Sequence, residues 1–260
     1  MSTKLIKSEA EIDLMRGAGQ LLASVFSMLD PHIQLGITTM EVNDLVENYI
    51  VHALNARPAS KGQYGYKYVL NSSVNDVVCH GVPSAIKKLK NGDIVNIDIT
   101  LEKNGYIADS SKMYMLGNVS PIAKKLVEVT YQAMWKGIFS VKPKATVGDI
   151  GNAIQQFVEK QGFSVVREYC GHGIGQMMHE EPQILHYGKP NSGVVLEEGM
   201  TFTIEPMINQ GSDKTKQKRD GWTVVTRDKK LSAQWEHTIL VTKNGFEVLT
   251  LRGNEGIPSL

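Results

Sequence analysis

Residues 92–111 read GDIVNIDITLEKNGYIADSS. The Ile- and Val-rich flanks predict two strands, and Asn104-Gly105 between them is a two-residue hairpin signal. Each strand carries an aspartate in its middle, Asp98 and Asp109. A two-residue turn pairs position 98 with 111, two residues from 109, so both carboxylates can lie on one face of the sheet. Like charges at facing positions repel. The plain reading is a wetted sheet face, with Asn96, Asp98 and Thr100 alternating with Ile97 and Ile99.

The sequence on either side argues against it. Upstream, Ser8-x-x-Glu11 and Thr38-x-x-Glu41 are capping-box patterns, each opening an amphipathic stretch, the first ended by Pro31. Downstream, Ser120-Pro121 opens a helix running to Phe139, and Thr146-x-x-Asp149 opens another. Thr146 follows Thr38 by 108 positions, and Gly199 follows Gly92 by 107. GMTFTIEP places Glu205 six residues after Gly199, as GDIVNID places Asp98 six after Gly92. After an excursion from Asn209 to Trp235, the return strand WEHTILVT (235–242) carries Glu236 as the first return strand carries Asp109. Two motifs in the same order at nearly the same offset point to duplication, with a period far too long for a solenoid. The expected architecture is α+β, pseudo-twofold, with duplicated helices backing antiparallel sheet. One domain, 1–260, is expected, with halves of about 1–118 and 119–260. Four carboxylates would then meet at the centre, and two divalent cations would neutralise them.

Composition narrows the field. The chain of 260 residues has 28 basic and 27 acidic residues, a net charge of +1. That balance gives no reason to expect sequence-specific nucleic acid binding or attraction to an acidic membrane. The KTKQKR run (214–219) reads as a solvated loop. Cys79 and Cys170, the only cysteines, make no disulfide framework and suit a reducing compartment. Residues 1–15 lack the apolar core of a signal peptide, and no apolar run reaches transmembrane length. A cytoplasmic location is expected.

Three histidines sit in loaded places: His80 in VCHGVP, His172 in CGHGIG and His179 in HEEP. A lone histidine near a strand end is usually a structural hydrogen bonder. Glycines flanking His172 would allow a bend that aims its ring inward. His80 and His179 each precede a carboxylate hairpin, so duplication would set them on opposite sides of one site. Cys79 and His80, adjacent on a strand, should point to opposite faces and so form no nucleophile–base dyad. GHGIG lacks dinucleotide-loop spacing, and H-E-x-x-H is absent. Strand-borne carboxylates do not suit a helical di-iron bundle.

NIDIT, IADSSKM, CGHGIG, HEEPQILHY, GMTFTIEPM and WEHTILV together resemble the type I methionine aminopeptidases, bacterial in style, over nearly the whole chain. The resemblance implies the pita-bread fold around a dinuclear metal site. It implies Asp98, Asp109, His172, Glu205 and Glu236 as ligands of two divalent ions (Co, Mn, Fe or Zn), with Asp109 and Glu236 bridging. It further implies Glu205 as general base, His179 as donor to the developing oxyanion, and His80 as contact to the leaving amide nitrogen. Asn96 and Ser232 resemble positions near a monovalent cation. The implied activity removes the initiator methionine from nascent polypeptide N-termini when the second residue is small, a metal-activated water attacking the scissile carbonyl. Met1-Ser2 of this chain would itself qualify. Transient ribosome association and a monomeric enzyme go with that role.

Around the methionine side chain, Tyr66 and Trp222 fit the family pattern. Gln63, Asn71 and Met178 stand where many bacterial members have Tyr, Cys and Phe. Two alternatives remain open at this point: a Pro-specific aminopeptidase of the same fold, which would normally carry a sizeable further N-terminal domain, and a non-catalytic peptide- or ribosome-binding homologue.

Overall fold

The computed structural model describes residues 5–253 and 255–259, so Met1 and Ser2 lie outside the described residues. The chain begins with two helices, α1 (Glu9–Leu29) and α2 (Thr39–Asn48). Both start where the capping boxes put them. The Glu11 carboxylate accepts from the Ser8 backbone N–H at 2.6 Å, and the Glu41 carboxylate accepts from that of Thr38 at 2.7 Å. Each box satisfies first-turn N–H groups that have no partner within the helix. Strands β1 (Arg57–Pro58), β2 (Leu70–Val74), β3 (Val77–Cys79), β4 (Ile94–Lys103) and β5 (Tyr106–Met115) follow. The β4–β5 hairpin turns at Asn104 and Gly105 with φ of 53° and 82°, the two left-handed residues that a tight hairpin requires. Its register sets Asp98 opposite Ser111.

The pattern then repeats. Helices α3 (Pro121–Phe139) and α4 (Val147–Lys160) begin at Ser120 and Thr146. After them come β6 (Ser164–Val165), β7 (Gly171–Gly173), β8 (Glu180–Ile184), β9 (Thr201–Ile204) and β10 (Met207–Asn209). The excursion holds β11 (Thr215–Gln217) and β12 (Val224–Thr226) before β13 (Ser232–Gln234), β14 (His237–Thr242) and β15 (Gly245–Val248). The KTKQKR run is therefore only partly loop. Residues 215–217 form β11, paired with β12, although Lys216 and Gln217 are exposed. Gly92 and Gly199 have φ of 90° and 87° and occupy equivalent turns, each ahead of a carboxylate strand.

The second hairpin differs from the first in one instructive way. Its strands are broken, β9 from β10 and β13 from β14, at the positions of Glu205 and Glu236. His237 lies opposite Ile204 on one side of the break, and Gln234 opposite Met207 on the other. The register is unchanged across the gap, which sets Glu205 opposite Glu236. Pro206 has no N–H to give the ladder, and the Glu205 N–H donates instead to His186 Nε2 at 3.1 Å. An isolated bridge between Ser111 and Glu236 joins the two hairpins along the molecule's middle.

Each half has its own core. Leu22, Phe26, Val42 and Val46 of α1 and α2 pack with Ile97, Ile99 and Leu101 of β4. Leu126, Trp135, Ile150 and Ile154 of α3 and α4 pack with Phe202 and Ile204 of β9 and Ile239 of β14. Burying the helical faces against the apolar side of the sheet leaves its other side to carry polar groups.

Candidate active site

That other side opens into a cavity of about 600 Å³. Asp98, Asp109, Glu205 and Glu236 all line it, with His80, His172 and His179. Asp98 and Asp109 come from β4 and β5, and Glu205 and Glu236 from the paired breaks. His172 comes from β7. Its Nδ1–H donates to the Gly173 carbonyl at 3.0 Å, which turns the Nε2 lone pair toward the carboxylates. Nε2 lies 3.6 Å from Glu205 Oε1 and 3.8 Å from Asp109 Oδ2. Those separations are long for hydrogen bonds. Ligand atoms sharing an ion at about 2.0–2.2 Å stand roughly 3–4 Å apart. Asp109, His172 and Glu236 each offer a ligand atom within 4.8 Å of the others.

The donor set fits a divalent ion. Asp109 Oδ1 is buried with no hydrogen-bond partner among the described residues, a costly state for a carboxylate oxygen unless a cation meets it. Carboxylates with one neutral imidazole and no thiolate suit Mn, Fe, Co or Zn. The electrostatics agree. Burial pushes Glu205 up to about 8 and Asp98 up to about 6, and burial with the neighbouring carboxylates raises Asp109 and Glu236 as well. Four such groups cannot all ionise together without positive charge among them. Burial lowers His172 to about 3, so its ring is neutral and its lone pair free.

Neighbours that the sequence did not single out hold these groups in place. The Thr203 hydroxyl donates to Glu205 at 2.8 Å and accepts from the His172 N–H at 3.0 Å. Gln234 donates to the other Glu205 oxygen at 3.1 Å. The Asp109 N–H donates to the Thr238 hydroxyl, which donates back to the Asp109 carbonyl at 2.7 Å. Thr203, Gln234 and Thr238 looked like ordinary strand residues. The available signal was their spacing, each two positions from Glu205 or Glu236.

One expectation needs correction. Cys79 and His80 do not face apart; both line the cavity. His80 lies beyond the end of β3 with φ of 54°, and this left-handed residue cancels the strand alternation. No dyad results, because burial raises the Cys79 thiol well above its ordinary value. A bend at His172 is present as a register shift between His172 and Gly173 against β8, and the flanking glycines serve a further purpose. A Cβ on Gly171 would meet the Thr203 carbonyl oxygen at 2.4 Å, and one on Gly173 the Glu181 carbonyl oxygen at 2.1 Å. They let neighbouring strands approach the one that carries His172.

His179 precedes β8, its ring 4.4 Å from that of His172 and 6.2 Å from Tyr64. His80 meets the Tyr169 ring edge-on at 5.6 Å. Tyr66 and Trp222 rings lie 4.8 Å apart, and Gln63, Asn71 and Met178 line the same cavity. Asn71 faces Asp98 across β2 and β4 and donates to its carboxylate at 3.2 Å. Asn96 is buried elsewhere on β4, donating to Ser111 Oγ at 3.0 Å and to the Gln234 carbonyl at 2.7 Å. Ser232 is buried on β13, its hydroxyl donating to the Ile208 carbonyl at 3.3 Å.

Residues 13–243 match the family model described as metallopeptidase family M24. The methionine aminopeptidase of Salmonella typhimurium is 50% identical over 255 residues, 98% of this chain and 97% of its own length. The crystal structure of methionine aminopeptidase from Rickettsia prowazekii superposes with a TM-score of 0.92 at 51% identity, covering 95% of this chain and 99% of that one. The prolidase of Pyrococcus horikoshii gives a TM-score of 0.75 at 26% identity, covering 96% of this chain but 65% of that one. The fold is the pita-bread arrangement of mixed helices and antiparallel sheets.

Proposed function

The chain belongs to metallopeptidase family M24, and from that premise we propose that it is a methionine aminopeptidase acting on the initiator methionine of nascent chains whose second residue is small. The observation that carries the reading is the convergence of four carboxylates, buried Asp109 and Glu236 with half-buried Asp98 and Glu205, and His172 in one cavity. The Pro-specific alternative is not favoured, since both identity and TM-score favour the methionine aminopeptidases. Nor is a non-catalytic homologue, because the candidate ligand set is complete.

The proposed ligands are Asp98, Asp109, His172, Glu205 and Glu236, which would hold two ions drawn from Co, Mn, Fe or Zn, with Asp109 and Glu236 as the residues that would be shared. Ions held there would activate a water and polarise the scissile carbonyl. Glu205 takes the proton. It would then pass that proton to the departing amine. His179 donates its N–H to the developing oxyanion, and His80 contacts the amide nitrogen on the leaving side. The Tyr66 hydroxyl donates to the Leu70 carbonyl at 2.9 Å, so the substrate meets its ring rather than its polar end. With Trp222 and Met178 it makes an apolar wall for an unbranched thioether. Gln63 and Asn71 form the polar margin.

A monovalent cation near Asn96 and Ser232 is also proposed. Its support is Asn96 Oδ1, buried without a partner among the described residues. We read residues 1–260 as a single catalytic domain with halves of about 1–118 and 119–260. It works as a cytoplasmic monomer with transient ribosome association, without a membrane or sequence-specific nucleic acid partner. No described helix is long and apolar enough to cross a membrane.

The test is hydrolysis of Met-Ala-Ser. Chelation should abolish it, and Mn, Fe or Co should restore it. Full activity in protein shown metal-free by elemental analysis would refute the reading. Preference for X-Pro peptides whatever X is would favour the Pro-specific alternative.

A further inference from the structure

Behind the candidate metal site, away from the cavity, lies Arg252, only 2% exposed. Its guanidinium makes an uncommon set of contacts. Nη2 donates to Ser110 Oγ at 2.9 Å, to the Ser111 carbonyl at 2.6 Å and to the Glu236 carbonyl at 3.4 Å. Ser110 Oγ donates to the same Glu236 carbonyl at 2.7 Å, and the Glu236 N–H donates to the Ser111 carbonyl at 3.3 Å. One cationic fork thus ties the residues that follow Asp109 to the backbone of Glu236. Those two carboxylates come from different hairpins, which meet there at the isolated Ser111–Glu236 bridge, beside the Asp109–Thr238 hydrogen bonds. The fork is itself held. Nη1 donates to Glu255 at 2.8 Å, and the plane lies 4.7 Å from the Phe26 ring and 5.7 Å from the Trp235 ring. A planar, multidentate donor clamped between rings fixes geometry in a way that a flexible ammonium does not.

We infer that Arg252 is a positioning residue for the metal centre, setting the spacing of Asp109 and Glu236 through the Ser110–Ser111–Glu236 backbone junction. The inference rests on the ligand reading above. It assigns the residue no contact with substrate or metal. Outer partners of metal ligands typically account for about 10–100-fold in metal affinity.

The test uses the full chain with Mn²⁺ as probe. Arg252→Lys keeps the charge beside Glu255 but cannot fork. It should weaken Mn²⁺ binding, measured by calorimetric titration of stripped protein, by about 10-fold or more. It should also lower kcat on Met-Ala-Ser while KM stays within about twofold, as for a group acting beyond ground-state binding. A merely structural arginine would lower the melting temperature yet leave Mn²⁺ affinity and kcat per folded molecule unchanged, and that result overturns the inference. Ser110→Ala removes one link of the junction without touching the charge. It should weaken Mn²⁺ binding severalfold, and it decides the matter if Arg252→Lys fails to fold. Wild-type affinity in Ser110→Ala would then overturn the inference. Glu236→Gln separates the two readings. If it retains full Mn²⁺ binding, the ligand assignment has failed; if it loses metal while Arg252→Lys and Ser110→Ala bind normally, only the positioning role has.

Discussion

His179 and Asp109 face the same cavity, yet they should respond differently to substitution. His179→Ala should retain metal by elemental analysis and lose about 10²–10³ in kcat, the scale of one oxyanion donor. Asp109→Asn or Glu236→Gln should lose metal as well as rate. The reverse pattern would exchange the roles. A pH experiment on metal-free protein tests the buried carboxylates directly. Glu205, raised to about 8 from 4.5, binds more protons folded than unfolded between those values. Stability therefore falls as pH rises through that window. His80 and His186, lowered to about 4 and about 3, act in the opposite sense, but only below their ordinary value of 6.5. Between pH 6.5 and 8 the carboxylates dominate. The melting temperature of stripped protein should drop across that interval, and saturating Mn²⁺ should remove the drop. At this scale the charged and imidazole groups were legible in the sequence, because their chemistry is explicit. The Asn71–Asp98 bond was not, since it depends on the pairing of β2 with β4.

Among the elements, the β4–β5 hairpin was fully legible. Asn104-Gly105 specifies a two-residue turn, and the turn specifies the register that sets Asp98 opposite Ser111. Gly105→Ala, at φ of 82°, should cost about 1–2 kcal/mol in denaturant unfolding without altering metal content. Gly173→Ala is the harsher change. Its Cβ would meet the Glu181 carbonyl oxygen at 2.1 Å, so β7 must shift and carry His172 with it. The expected outcome is a loss of stability of about 1–3 kcal/mol together with weakened metal binding. Unchanged metal affinity in that variant would mean that His172 does not depend on the packing of β7. The left-handed His80 and the breaks beside Pro206 were harder to foresee. Periodicity sees alternation, and a single residue off the strand conformation resets which face every later side chain uses.

For the molecule as a whole, the split of the candidate ligands between two halves makes metal a structural partner as well as a chemical one. Stripping it should lower the melting temperature, because ligand binding to the folded state alone stabilises that state. No change in a calorimetric scan would count against the central cluster. Substrate choice also belongs to this scale, since Tyr66 comes from the first half and Trp222 and Met178 from the second. An apolar pocket separates near-isosteres by only about 1–3 kcal/mol per methylene-sized difference. A tripeptide panel should therefore accept norleucine nearly as well as methionine, accept leucine less well, and reject lysine. Cleavage of Lys-Ala-Ser at the Met-Ala-Ser rate would contradict the apolar wall. Duplication was legible from two repeated motifs, whereas the clasp made by Arg252 was not, because it joins Ser110 and Ser111, 142 and 141 residues away, to Glu236, 16 residues away. That distance has a consequence in time. The Glu236 carbonyl that closes the junction follows Ser110 by 126 residues. At the roughly 5–20 residues per second of protein synthesis, this is a delay of about 6–25 s. Until that interval ends, a growing chain holds Asp98 and Asp109 without the full set of groups that completes their site. The peptidase comes into being late in its own translation, when the second hairpin docks.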